Sequence, residues 1–357
     1  MCESAHEVAT SSDPATTAWV PADLGAFTGE QIPLATVERV SVTSLVDNVC
    51  DALAADTGPA HRPTGEGFPT VLAPLTEHGS TIDVPRAEHG FSALVEVELT
   101  QGQVHRILFD AGVTPDGMVD NMRRLDIDPG SIDVIVCSHG HFDHTTGLDG
   151  LARHLGRANL PVIIHPDFWS RRRTIIPGRD PIEMPTTSKR AMVDAGFEIV
   201  ERPEPSFLLE SSALVTGEVP RTTDFEQGMP GEQALKGQKW QPDPLILDDQ
   251  ALVLHVRDRG LVVLTGCGHA GIVNITRYAR QLTGIREVHA VIGGFHLSGA
   301  AFDPIIEPTI GGLADLQPDF VVPAHCTGWK AMVTAAERLP DAFIQNTVGT
   351  RYDLIAA

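Results

Sequence analysis

The sequence is short of basic residues, of cysteine and of long apolar runs, and each shortage excludes something. Twenty-six lysines and arginines stand against 47 aspartates and glutamates, a formal net charge of −21 over 357 residues. So acidic a chain repels a phosphate backbone at long range, which excludes general nucleic-acid binding but leaves room for a local basic patch. The five cysteines, Cys2, Cys50, Cys137, Cys267 and Cys326, are odd in number and irregular in spacing. They build no disulfide framework and point to a reducing, cytoplasmic setting. No run approaches the roughly eighteen consecutive apolar residues of a membrane-spanning helix. The start, Met1-Cys2-Glu3-Ser4-Ala5-His6-Glu7, lacks the basic-then-apolar order of a secretory signal. What remains is a chain with 42% apolar residues, enough for a substantial core. Nothing in it specifies an oligomeric state.

The most informative stretch is Ser138-His139-Gly140-His141-Phe142-Asp143-His144-Thr145-Thr146-Gly147. It follows the apolar run Ile132-Asp133-Val134-Ile135-Val136-Cys137, which reads as a buried strand, so the four potential ligands sit on the loop leaving its C-terminal end. His139 and His141 alternate and can face one ion. Asp143 and His144 follow where the chain turns and can face a second. Imidazole with carboxylate suits zinc, iron or manganese, and an aspartate among histidines favours a hydrolytic site over a closed structural one.

Residues 1–32, rich in Ala, Ser, Thr, Asp and Pro, read as a leader without a sustained apolar period, and 33–357 as one domain. Val37–Val46 reads as the first strand. Residues 56–86 read as a long loop, either a wall of the site or a surface excursion. Phe91–Leu99 and Val104–Phe109 pair around Gln101-Gly102, and Pro115–Leu125 is a helix turning Met118, Met122 and Leu125 inward. A short helix over 148–155 and a strand over Leu160–Pro166 follow. Later strands fall at Ala251–His255, Leu261–Leu264, Val288–Ile292 and Phe320–Pro323, with helices at Ile272–Leu282 and Ile305–Leu316. Strands in consecutive runs, then alternating with helices, fit two mixed sheets packed face to face with helices outside each, an αββα sandwich.

The metal motif resembles the signature of the metallo-β-lactamase superfamily. Leu108-Phe109-Asp110-Ala111-Gly112, Val262–His269 and Val321–Gly328 resemble its further site segments. Ser44-Leu45-Val46-Asp47-Asn48, Glu88–Ser92, Thr216–Arg221, Gly293–Leu297 and His325–Gly328 are similar to the subgroup containing the dihydropterin–ribofuranosyl-aminobenzene-phosphate synthases. The resemblance spans roughly residues 37–350. It implies two divalent transition-metal ions, with zinc favoured over iron or manganese.

On that basis His139, His141 and His269 are expected at one ion and Asp143, His144 and His325 at the other, the alternative for His269 and His325 being hydrogen-bonded core histidines. Thr265-Gly266-Cys267 stands where many members carry Thr-Gly-Asp with a bridging carboxylate, so Cys267 is a candidate thiolate ligand and Glu218 an alternative oxygen ligand. Asp110 is a candidate support for a ligand imidazole. Asp143 and His296 are the candidate catalytic groups, with His296 a general acid or oxyanion donor. Segment 167–190, with Arg171, Arg172, Arg173, Arg179, Lys189 and Arg190 against Asp167, Asp180 and Glu183, reads as an active-site insertion. Arg171, Arg172, Arg173 and Trp169 are expected to receive a small anionic substrate, the alternative being a solvated loop with internal ion pairs. The expected activity is metal-dependent hydrolysis of such an ester, a phosphoester foremost. The alternatives are a pterin-linked synthase that forms a C–N bond and releases diphosphate, a lactone or thioester hydrolase, or a non-enzymatic metal- or redox-binding partner.

Overall fold

A computed structural model describes residues 31–64 and 67–357. The leader at 1–32 lies outside this range except for Gln31 and Ile32, and the Ile32 N–H donates to the Leu282 carbonyl at 2.6 Å.

Alternate residues of the central strands face opposite layers, and most are buried on both sides. In Ser92–Leu99, Ala93, Val95, Val97 and Leu99 point into the inner layer, whereas Leu94 points the other way, toward helices. On that outer side, Glu96 meets Arg106 and Arg351, and Glu98 meets Arg39. The pattern repeats across the molecule. Ile107 and Phe109, Val134 and Val136, Leu252 and Leu254, Val262 and Leu264, and Ala290 and Ile292 all share the inner core. Their alternates Leu108, Ile135 and Val162 pack outward under three helices, α1 (Gly117–Arg124), α2 (Leu148–Leu155) and α3 (Lys189–Asp194). On the opposite side Val253, Val263, Val291 and Val321 pack under α4 (Ile272–Thr283), α5 (Ile306–Leu316) and α6 (Trp329–Arg338). The result is the αββα layering.

The strand order is Glu198–Glu201, Pro161–Ile164, Val134–Val136, Val104–Phe109, Ser92–Leu99, Thr36–Val46, Leu252–Val256, Gly260–Thr265, Val288–Gly294 and Phe320–Ala324. Parallel and antiparallel neighbours are mixed in both halves. One refinement concerns the expected pair of sheets. Thr36 and Val37 pair with His255 and Val256, so a single strand joins the two layers into one continuous ladder. That strand also carries Arg351–Ile355 along Arg39–Thr43.

Segment 167–190, expected as an insertion, does not form a sheet by itself. Its strands Arg172–Thr174 and Ile182–Glu183 join Glu232–Lys236 and Lys239–Pro242 in a separate four-stranded sheet. The segment 56–86 carries a small hairpin, Thr70–Leu72 with Ser80–Ile82, exposed over most of its length. It is moored by buried Asp83, which accepts from Arg86, Arg123 and Arg124. This is the geometry of a surface excursion. No helix among the described residues is long and apolar enough to cross a membrane.

Candidate metal centre

The strand Val134–Val136 ends under the inner core and delivers its next residues to the rim shared by the strand ends of both halves. His139, His141, Asp143 and His144 are buried there. The ends of Gly260–Thr265 and Phe320–Ala324 bring Cys267, His269 and His325 to the same place. His139 Nε2 lies 3.0 Å from His141 Nδ1, and His269 Nε2 lies 3.2 Å from the same Nδ1. Donors on one tetrahedral zinc with bonds of about 2.0–2.1 Å sit roughly 3.3 Å apart, so these three nitrogens fit one ion. His325 Nε2 is 3.3 Å from Asp143 Oδ2, and His144 Nε2 is 3.9 Å from that oxygen and 3.1 Å from Cys267 Sγ. Cys267 shares ligand-distance groups with His139 and His269 on one side and with His144 and His325 on the other. The thiol thus stands between the two sets.

The protonation states suit ligation. Burial, then neighbouring imidazoles, push His139 and His269 well below the ordinary histidine range, leaving neutral rings with a lone pair to give. His325 Nε2 is buried, without a hydrogen-bond partner, and faces Asp143. Burial works against ionised Asp143, but His144 and His325 outweigh it and hold the carboxyl far below its usual range. For His144, too, burial is outweighed: Asp110 and Asp143 hold it up to about 9. An ion bound there must displace that proton.

Three of the five ligand imidazoles have a hydrogen-bonded outer partner that fixes the ring. Ser138 Oγ is 2.8 Å from His139 Nδ1, Asp110 Oδ2 is 2.7 Å from His144 Nδ1, and Asn48 Oδ1 is 3.1 Å from His325 Nδ1. Glu232 of the accessory sheet brings Oε1 to 3.4 Å from His141 Nε2. That approach is not a hydrogen bond: His141 Nε2 and Glu232 Oε1, like His269 Nδ1, are buried without a hydrogen-bond partner. Asp110 also accepts from the Ser138 N–H and hydroxyl, so one carboxylate orders both ends of the loop. Asp110, His296 and His325 all adopt left-handed backbone (φ 58°, 43° and 46°), which places strain at the site. Asp110→Asn is expected to weaken metal binding ~10–100-fold with little loss of fold. A competitive chelator titration giving unchanged affinity would remove Asp110 from this role.

The accessory sheet grips the same loop. Asp248 accepts from the Gly140 N–H at 2.8 Å and is clasped by Arg172 at 2.6 and 3.1 Å. Gly140 itself sits so close to the Phe168 carbonyl that a Cβ would lie 2.0 Å from its oxygen. Only glycine fits between His139 and His141.

Other candidates fall elsewhere. Arg172 corrects the substrate-facing expectation: it is buried, spanning Asp243 and Asp248 because the inward face of its strand meets both carboxylates. Arg171 pairs with Glu183, and Arg173 donates to Gln233 and stacks over Trp240 at 4.6 Å. Trp169 donates to Glu201 beneath Lys189. Glu218 lies 3.2 Å from His165 Nε2 and belongs to no ligand group among the described residues. His296 does reach the centre, its ring 4.2 Å from that of His269. Exposed His89 stands at the opening, with Nε2 3.6 Å from Asp143 Oδ2. Sequence reasoning missed Glu232, Asp248 and Asn48 as partners; only Asn48 lay in a motif that had drawn notice.

Comparison with known proteins adds the family. A model described as the β-lactamase superfamily domain matches residues 105–204. The chain is 32% identical to the 7,8-dihydropterin-6-methyl-4-(β-D-ribofuranosyl)-aminobenzene-5'-phosphate synthase of Methanocaldococcus jannaschii over 267 residues, covering 72% of this chain and 87% of the relative. An uncharacterised protein of the same organism is 33% identical over 252 residues, covering 70% and 88%. A crystal structure described as a metal-dependent hydrolase of the β-lactamase superfamily superposes with a TM-score of 0.64 at 23% identity, covering 88% of this chain and 99% of the other. With the layered sandwich, the ligand loop and the 32% identical synthase in agreement, the chain belongs to the metallo-β-lactamase superfamily, in the subgroup of the dihydropterin–ribofuranosyl-aminobenzene-phosphate synthases.

Proposed function

We propose that the protein is a metal-dependent hydrolase of a small anionic ester, with phosphoesters the substrate class. The observation that carries this reading is the pair of ligand sets in one largely buried cluster, with Cys267 within reach of both. Two zinc, iron or manganese ions held there would supply Lewis acidity toward a phosphoryl oxygen and acidify bound water. Asp143, held ionised, orients a proton of the attacking water from its place between His325 and His89. His296 is part exposed beside His269 and Phe302, and is placed to give a proton to the leaving oxygen. Since Arg171, Arg172 and Arg173 are engaged internally, the substrate's charge is met at the centre itself.

The 32% identical relative favours a second reading, a C–N bond-forming synthase in which the same cluster holds departing diphosphate. One assay separates them. The metal-loaded protein is given a pterin-like diphosphate donor with and without an aminobenzene acceptor, alongside a chromogenic phosphodiester and a neutral lactone. The hydrolase reading expects phosphodiester cleavage, with any diphosphate release indifferent to the acceptor. Release that requires the acceptor would replace it with the synthase. Turnover of the lactone alone would move the reaction to carbon.

A further inference from the structure

Cys326 follows a ligand yet belongs to neither ligand set, and its position beside Cys267 is the least explained feature of the centre. The ligand atoms of Cys267, His296 and Cys326 lie within 4.8 Å of one another. Cys326 Sγ is 3.4 Å from the Cys267 carbonyl oxygen. The two cysteines come from strands on either side of Val288–Gly294 and meet over its last residue. A Cβ on Gly294 would lie 2.8 Å from Cys326 Sγ and 3.1 Å from Cys267 Cα. The bare glycine is what lets the two side chains close over the strand. Cys267 is itself flanked by Gly266 and Gly268, and Gly268 has left-handed backbone (φ +67°), a conformation that a residue with a Cβ rarely adopts.

We propose that Cys267 and Cys326 are an oxidisable thiol pair, and that a disulfide between them unloads the metal centre. The oxidant class is a peroxide small enough to enter the opening. The two sulfurs give up two electrons, an S–S bond forms, the peroxide O–O bond breaks and two waters leave. One proton comes from the Cys326 thiol and the other from solvent where Cys267 starts as a metal-bound thiolate. Cys267 cannot then serve as a thiolate between the ligand sets, so an ion that depends on it dissociates. This second half rests on the metal-centre reading above. The bridge itself does not.

The test uses zinc-loaded protein with Cys2 and exposed Cys50 replaced by serine, which leaves buried Cys137 as the one thiol outside the pair. After stoichiometric hydrogen peroxide, intact mass is expected to fall by two hydrogens. A non-reducing digest should join the Cys267 and Cys326 peptides, and zinc should reach a chromophoric chelator in step with that product. Dithiothreitol and fresh zinc should restore the starting state. Cys326→Ser, and Cys326→Ala should serine perturb the fold, should bind zinc normally and lose the peroxide-driven release. Oxygen added separately to the two cysteines, with no joined peptide, would overturn the pair. A joined peptide with zinc retained would overturn the coupling to the metal and, with it, ligation by Cys267.

Discussion

His139→Ala and Asp143→Ala are each expected to lose metal and activity together, well beyond the ~100-fold that removal of an outer partner costs. Each variant strips a donor from a different ligand set. His139 is fully buried and held by Ser138, so no neighbouring side chain can swing into the vacated direction. Asp143 is the only carboxylate in the second set, and its loss also frees His144 and His325 from the charge they face. Elemental analysis after gel filtration, paired with turnover on whichever substrate proves active, reads both effects. Full metal occupancy in both variants would sink the ligand assignment.

Arg172→Met is expected to destabilise the metal-free protein by roughly 3–5 kcal/mol, the usual consequence of leaving buried carboxylates without their cation. Asp248 has no exposed surface, and its partner Arg172 is 2% exposed. Because Asp248 also fixes the Gly140 N–H, metal affinity should fall with stability. Arg171→Ala is the control. Its pair with Glu183 is about half exposed on both sides, and such a pair is worth at most about 1 kcal/mol. Urea denaturation of both variants decides the matter. A loss under about 1 kcal/mol for Arg172→Met would mean that Asp248 finds another partner and that the accessory sheet does not brace the loop.

The contrast between these two arginines shows where sequence reading reaches its limit. The strands and the ligand loop were legible because their signals are local: apolar runs of strand length, four ligands within six residues. Cys267, His269 and His325 could be placed because each follows an apolar strand within a segment that resembles the superfamily's site motifs. Glu232 and Asp248 carry no such mark. Each meets the loop across about a hundred residues of chain, Glu232 from a short strand of the accessory sheet and Asp248 from the segment that follows it. Arg171, Arg172 and Arg173 read as free positive charge for the same reason: Glu183, Gln233, Asp243 and Asp248, which occupy them, come from other strands and turns. The bridging of the two sheets by Thr36–Val46 was equally hidden, since a strand does not record how many partners it has.

That bridging strand also sets an order of events during synthesis. It is made early, yet its Arg39–Thr43 edge is completed only by Arg351–Ile355, and its first two residues need His255 and Val256. A nascent chain stalled on the ribosome before Arg351 would expose an unpaired strand edge, an open template for a neighbouring chain. Shielding of that edge, by a chaperone or by speed of elongation, is therefore a demand the topology places on the cell that makes the protein.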